Sequence, residues 1–247
     1  MSPTVHLISG ANRGIGLNFV KILVQRPDVV VFAGARKREA ATELHALAEA
    51  HPGKLHVVAL TSADRGNNDA AIAEVKRVAG RLDVVIANAG ICDTYVGGLD
   101  VSPADMTRHF EVNVNGPLVL FQAVHGLMSA STPTPKFVLI STAAGSISMA
   151  ALFAGPIHTY GASKAALNWL SCKLHAEFPA WTIFPINPGA VATGMMLDAQ
   201  KTQDWLKDYP LTSVEESTKN MMAIIDKATR EGEGGQFLDA SGEKIAW

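Results

Sequence analysis

The sequence predicts a single doubly wound α/β domain built on a seven-stranded parallel sheet. Short, continuously apolar runs alternate from end to end with segments of helical periodicity, as expected for parallel strands buried on both faces and joined by crossover helices. A glycine turn, Ser9-Gly10-Ala11-Asn12-Arg13-Gly14-Ile15-Gly16, follows the first of these runs. A length of 247 residues suits one such domain, and 48% hydrophobic against 18% charged residues is enough apolar material for a well-buried core.

The elements follow in order. Val5–Ser9 is the first strand and gives way at the glycine turn to a helix over 14–26. The β-branched run Val29–Ala33 is the second strand, with a helix over 38–50 behind it. Leu55–Leu60 is the third strand, and Asn67-Asn68-Asp69 is a capping start for a helix over 67–79. Val84–Asn88 is the fourth strand. Ser102-Pro103 then opens a long helix over 103–129, a hydroxyl cap followed by proline at the first helical position. Phe137–Ser141 and Thr182–Asn187 are the fifth and sixth strands, on either side of a helix over 160–178. Ser213 caps a last helix over 214–230, and Gln236–Leu238 is the seventh strand. Stretches 143–159 and 189–212 lack apolar periodicity, and loops of that length in a compact domain serve as lids or pocket walls. No linker, repeat or low-complexity segment divides the chain, so 1–247 reads as one domain.

Composition excludes several functions. A net charge of -2 argues against a nucleic-acid surface, and Arg36-Lys37-Arg38 is too local to make a polyanion groove. No apolar stretch approaches the about 20 residues that span a bilayer, and no signal peptide is recognisable. Cys92 and Cys172 form no CxxC pair and no metal-ligand spacing, which predicts free thiols in a reducing cytosol and no metal.

The chemistry centres on Tyr160-Gly161-Ala162-Ser163-Lys164, where a phenol and an ammonium lie one turn apart on one helix face. A phenol of pKa ~10 is a poor proton donor or acceptor at neutral pH unless a neighbouring cation favours its phenolate. Lys164 is placed to be that cation. Gly10, Gly14 and Gly16 allow a tight turn and let a diphosphate approach the free N–H groups of a helix N-terminus. Where the second strand ends, an NAD site carries an acid for the ribose 2′-hydroxyl. This chain has Ala35 and then Arg36-Lys37-Arg38. With no carboxylate to repel it, a 2′-phosphate is matched by guanidinium forks, and Arg13 can close the same pocket from the other side. NADP(H) is therefore expected, with Arg36 on the phosphate.

These residues resemble the short-chain dehydrogenase/reductase family over nearly the whole chain. Besides the glycine turn and the Tyr-Lys pair, the likeness includes Asn88-Ala89-Gly90 and Asn113-Val114-Asn115-Gly116. It also includes Ser141-Thr142 and Pro188-Gly189-Ala190-Val191-Ala192-Thr193, all in family order. The ending Gly235-Gln236-Phe237-Leu238-Asp239, with Gly242 and Trp247, is similar to the sniffer-like carbonyl reductases and fungal ketoreductases. The resemblance implies a Rossmann fold and a cytoplasmic, NADPH-dependent reduction of a ketone or aldehyde. Tyr160 would protonate the carbonyl oxygen. Lys164 would lower the phenol's pKa and bond the nicotinamide ribose, and Asn113 would hold a water leading to solvent. Gly10, Asn12, Arg13, Gly14, Ile15 and Gly16 would cradle the cofactor, and Asn88, Ala89 and Gly90 would line its adenine-ribose side. Pro188, Gly189, Val191 and Thr193 would hold the carboxamide and diphosphate. Helices 103–129 and 160–178 would form the face of a homodimer or tetramer, with Trp169 and Leu170 able to contribute.

Three departures stand out. The family's substrate-orienting serine, second of a Ser-Ser pair, is Thr142 here, with Ser141 before it as the alternative. A threonine hydroxyl donates the same bond, although its methyl group restricts rotation. Ser146 and Ser148 are weaker candidates. The aspartate that bonds adenine in the family is Thr61 here, while Asp64 suits a turn or a cap. The spacing from Thr142 to Tyr160 is longer than usual, so Met149–Ile157 is expected to bulge into the pocket wall. Met149, Leu152, Phe153, Met195, Met196, Leu197 and Trp205 offer an apolar wall, and His158 stands near Tyr160. A neutral, mostly apolar carbonyl compound is therefore expected. The competing functions are a non-redox cyclase or isomerase on the same scaffold and an NADPH-binding sensor without turnover.

Overall fold

The computed structural model describes residues 2–131 and 134–247. Its strands are β1 (Thr4–Ile8), β2 (Val29–Ala35), β3 (Leu55–Ala59), β4 (Val84–Ala87), β5 (Lys136–Ile140), β6 (Thr182–Asn187) and β7 (Leu238–Asp239). They form one parallel sheet in the order β3-β2-β1-β4-β5-β6-β7. Successive strand residues point to opposite faces, and the sheet divides its apolar side chains accordingly. Ile8, Ile86, Val138 and Ile140 face one core, while Val5, Leu7, Val85, Phe137 and Leu139 face the other. Helices α1 (Gly14–Val24), α2 (Thr42–Ala50) and α8 (Val214–Lys227) cover the first face. Helices α3 (Arg65–Ala79), α5 (Gly116–Met128) and α6 (His158–Glu177) cover the second.

Local chemistry moves several expected boundaries. Helix α3 begins earlier than Asn67, because Asp64 is the cap and accepts the Asn67 N–H at 3.0 Å. Asn67 and Asn68 instead bind the backbone of Thr61, through bonds of 2.6 and 2.7 Å. Ser102 and Ser213 cap their helices as the sequence indicated. The long helix is not uniform. It runs as α4 (Pro103–Phe110), a π-helical turn over Glu111–Asn115, and then α5. Pro117 has no N–H to close the ordinary four-residue bond to the carbonyl of Asn113. The Gly116 N–H reaches back five residues to Glu111, and the ladder slips by one.

Stretch 189–212 is less irregular than its sequence suggests. It holds helix α7 (Gly194–Thr202), capped by Thr193, and a 3-10 turn over Asp204–Leu206. Three polar or charged positions, Asp198, Gln200 and Lys201, surround Ala199 and hide its apolar period. Among the described residues no helix is long and apolar enough to cross a membrane, and no cluster of His, Cys, Asp or Glu could hold a metal. Both cysteines are free. Trp169 on α6 is 67% exposed, whereas Leu170 packs on the second core.

Candidate active site

The sheet order reverses between β1 and β4, so the crossovers leave in opposite directions and open a crevice beyond the strands' carboxyl ends. The glycine turn forms one wall. Gly10 and Gly14 have φ of +62° and +54°, a region that side chains disfavour. A side chain at Gly16 would sit 2.3 Å from the carbonyl oxygen of Gly10. Asn88 braces this turn from the fourth strand. Its amide donates to the carbonyls of Ser9 and Gly10 at 3.0 and 3.1 Å, and Ser9 Oγ accepts the N–H groups of Asn88 and Ala89. Asn88 therefore shapes the crevice through its amide nitrogen.

Helix α1 starts in this turn. Its cap position is Arg13, which makes no side-chain capping bond, and its first turn holds no acid. Helices α3, α4, α7 and α8 all carry a capping hydroxyl or carboxylate. The free N–H groups of α1 and its dipole thus face the crevice, an arrangement that suits a diphosphate. The end of β2 lies alongside, joined through the Ala11 N–H to the Gly34 carbonyl at 2.8 Å. Arg13 and Arg36 are both exposed, and neither pairs with a carboxylate among the described residues. Thr61, Ser62, Ala89 and Gly116 line a small hollow on the same side. Opposite, Gly189 has φ of +81°, and a side chain at Gly14 would meet Thr193 Cγ2 at 3.3 Å. Pro188, Gly189 and Thr193 therefore border the far wall, whereas Val191 is buried and bridges to Thr212. These residues fit a dinucleotide: glycines admit its backbone, an open helix end meets its charge, and unpaired guanidinium groups stand at its rim.

Tyr160 and Lys164 sit in the N-terminal part of α6. Lys164 is 4% exposed, lies 5.8 Å from the centroid of the Tyr160 ring, and donates to the Ile140 carbonyl at 2.7 Å. Burial lowers its pKa from 10.5 to about 8, against a smaller upward pull from Cys92. Burial also dominates at Tyr160 and raises its pKa above the ordinary phenol value; Cys92 adds to this, and a hydrogen bond with Thr142 opposes it. The net direction at Tyr160 is therefore upward and is set by loss of water, with no contribution from Lys164 among its causes. Cys92 had looked like a bland free thiol. Its charge would couple to both Tyr160 and Lys164, and burial holds its thiol up at about 11.

Thr142 and Ser141 separate clearly. Ser141 is 1% exposed and donates its hydroxyl to Asn168 Oδ1 at 2.5 Å, on the inner face of α6. That bond engages the Ser141 hydroxyl within the protein interior. Thr142 opens the following 3-10 turn and faces the phenol. Asn113 is fully buried by the π turn. Its oxygen accepts the Ile91 N–H at 2.8 Å, and its amide donates to the Ile91 carbonyl and to Ser163 Oγ. Ser163 in turn donates to the Tyr160 carbonyl at 2.8 Å. A side chain at Gly90 would lie 3.2 Å from Asn113 Oδ1 and 3.6 Å from Lys164 Nζ, so Gly90 keeps the space between them open. Sequence reasoning did not single out Ser163 or Asn168. Both are polar residues on the buried face of α6, shared with Leu167 and Leu174, at i-1 and i+4 from Lys164, and that spacing is the available signal. His158 is exposed and its ring lies against Gly98.

Residues 4–204 match the sequence model of the short chain dehydrogenase family. A short chain dehydrogenase of Penicillium aethiopicum is 36% identical over 252 residues, covering 99% of this chain and 100% of that protein. Norsolorinic acid ketoreductase of Aspergillus parasiticus is 32% identical over 249 residues, covering 99% and 91%. Among solved structures, NADPH-bound carbonyl reductase from chicken fatty liver is similar with a TM-score of 0.89 at 30% identity, over 100% of this chain and 95% of that one. The carbonyl reductase Sniffer of D. melanogaster has a TM-score of 0.86 at 26% identity, over all of both chains.

Proposed function

We propose that this chain, which belongs to the short-chain dehydrogenase family, is a cytoplasmic NADPH-dependent reductase of a ketone or aldehyde on a neutral, mostly apolar small molecule. The observation that carries this reading is the half-buried Tyr160 paired with buried Lys164, with Thr142 beside the phenol, at the mouth of an anion-accepting glycine crevice. Relatives named ketoreductase and carbonyl reductase, one of them NADPH-bound, support it. The whole chain would act as one domain, and the exposed Trp169 on α6 suits the face of a homo-oligomer.

NADPH, when bound, supplies hydride to the carbonyl carbon. The side chains do the rest. Thr142 and Tyr160 hydroxyls converge on the carbonyl oxygen and hold it by hydrogen bonds. Tyr160 gives its proton to that oxygen as negative charge develops there. The Lys164 ammonium, over the ring face, stabilises the phenolate left behind. Asn113 and Ser163 fix the backbone on which Tyr160 and Ile91 ride, and hold open the path beside Gly90 by which a proton returns. Gly10, Asn12, Arg13, Gly14, Ile15 and Gly16 carry the diphosphate end; Thr61, Ala89 and Gly90 border the adenine-ribose side. Pro188, Gly189, Val191 and Thr193 shape the nicotinamide side. The test is loss of reduced-nicotinamide absorbance with a panel of aryl and alkyl ketones; a chain that oxidised NADPH with none of them would defeat the reading.

Three substitutions probe the assignment. Thr142→Val preserves shape and removes the donor, and kcat/KM is expected to fall roughly 10²-fold with NADPH affinity intact. Ser141→Ala should leave kcat/KM nearly unchanged, since its hydroxyl is engaged with Asn168; the reverse pattern would move the substrate contact to Ser141. Arg36→Asp should weaken NADPH by about 1.5–3 kcal/mol or more while sparing NADH. Equal weakening of both cofactors in a fluorescence titration would transfer the phosphate contact to Arg13 or Arg38.

A further inference from the structure

We propose that Trp205 and Gly155 form a latch through which the 193–211 segment sets the breadth of the substrate pocket and the position of the turn bearing Tyr160. This rests on the reductase reading above. Segment 193–211 is pinched at its base, where the Ala192 N–H donates to the Thr212 carbonyl at 3.0 Å and the Thr212 N–H to the Ala190 carbonyl at 2.8 Å. Above that pinch it is tied into one body. Thr193 caps α7, the Gln200 amide donates to the carbonyls of Leu206 and Tyr209, and Ala199 and Leu206 are buried. A rigid body on a narrow base moves as a unit.

Its tip carries Trp205, whose indole lies flat against Gly155. A side-chain carbon at 155 would fall 2.2 to 2.4 Å from three indole carbons. Gly155 has no positive φ, so the glycine is needed here for space and not for conformation. From Gly155 two backbone bonds lead to the catalytic turn. Its carbonyl accepts the Ile157 N–H at 2.9 Å, and the Ile157 carbonyl accepts the N–H of Gly161, next to Tyr160, at 2.8 Å. Whatever displaces Trp205 therefore pulls on the first turn of α6. The other end of this loop is held where the Ser148 N–H donates to the Trp247 carbonyl at 3.0 Å, with the Trp247 ring stacked on Phe237. Trp205 Nε1 is buried with no partner among the described residues. A buried indole N–H ordinarily finds one, so the seated position carries a cost that packing against Gly155 must offset. Trp205 is a positioning residue, and Gly155 is the position that determines specificity.

The test compares wild type, Gly155→Ala, Trp205→Ala and the double variant by amide hydrogen exchange over 146–161 and by ketone selectivity. Each single variant should speed exchange in that segment about tenfold. Each should also raise kcat/KM for a fused tricyclic aryl ketone relative to acetophenone by about fivefold or more. The double variant should do little more than either single one, because both remove the same contact. Trp205→Ala introduces no clash, so it reports even where Gly155→Ala melts early. Unchanged exchange in Trp205→Ala overturns the latch, additive effects overturn the Gly155–Trp205 coupling, and faster exchange with an unchanged ratio overturns the specificity role. Faster exchange in a chain that reduces no ketone upholds the latch and sinks the reductase reading instead.

Discussion

Tyr160→Phe is expected to lower kcat for ketone reduction by about 10³-fold or more while leaving the fold and NADPH affinity almost unchanged. The ring still fills its place at the start of α6, with Thr142 beside the phenol. Little packing is therefore lost. What disappears is the single acid beside the developing alkoxide, together with one of the two hydroxyls that hold it. Burial keeps the phenol protonated through neutral and moderately alkaline pH, so wild-type Tyr160 is available as an acid across that range. Steady-state kinetics, a thermal melt and an NADPH titration check all three parts. A variant that reduced its ketone at near wild-type rate would shift the proton donor to another group, with exposed His158 at the head of α6 the next to examine.

The layers of this fold are legible in the sequence because each of the first six strands is a mostly apolar run of four to seven residues with a helix behind it. What is misread depends on tertiary contacts. Helix α7 is short, and it shows its apolar face only where Ala199 meets the body of its own loop. The π turn at Asn113 needs the missing N–H of Pro117, four residues away, to be taken together with a buried amide that must reach Ile91. Within the site, the glycine turn and the Tyr160–Lys164 spacing are local and survive translation into structure. The choice between Ser141 and Thr142 is not local, because it is decided by Asn168 on a helix 27 positions away. The direction of the Tyr160 shift was also invisible, since spacing shows a neighbouring charge but not how much water is lost.

Lys164→Met is expected to abolish efficient reduction and at the same time to stabilise the fold. The ammonium is 4% exposed, and its one hydrogen-bond acceptor among the described residues is the Ile140 carbonyl. Its folded-state pKa is lowered from 10.5 to about 8 by burial. A lysine whose pKa falls on folding destabilises the native state fully below the folded value, and that deficit fades as pH rises from about 8 to 10.5. The size of the shift corresponds to about 3 kcal/mol, of which the unsatisfied carbonyl in the variant would return about 1–2. Methionine has similar length and fills the space flexibly. A net gain of about 1–2 kcal/mol at pH 7 is expected, read by denaturant titration, and it should shrink towards pH 10 as the wild-type lysine loses its charge. Catalysis moves the other way. Without the cation the phenolate left by proton transfer is unsupported, and NADPH should bind more weakly because Lys164 is also the proposed ribose contact. In the wild type the same titration should make reduction fail as pH rises through about 8, before the phenol itself deprotonates. A Lys164→Met chain less stable than wild type by the same amount at pH 7 and pH 10 would mean that this side chain holds the fold together. A more stable but inactive chain would mean that the buried charge is retained for chemistry, against the interest of the fold that surrounds it.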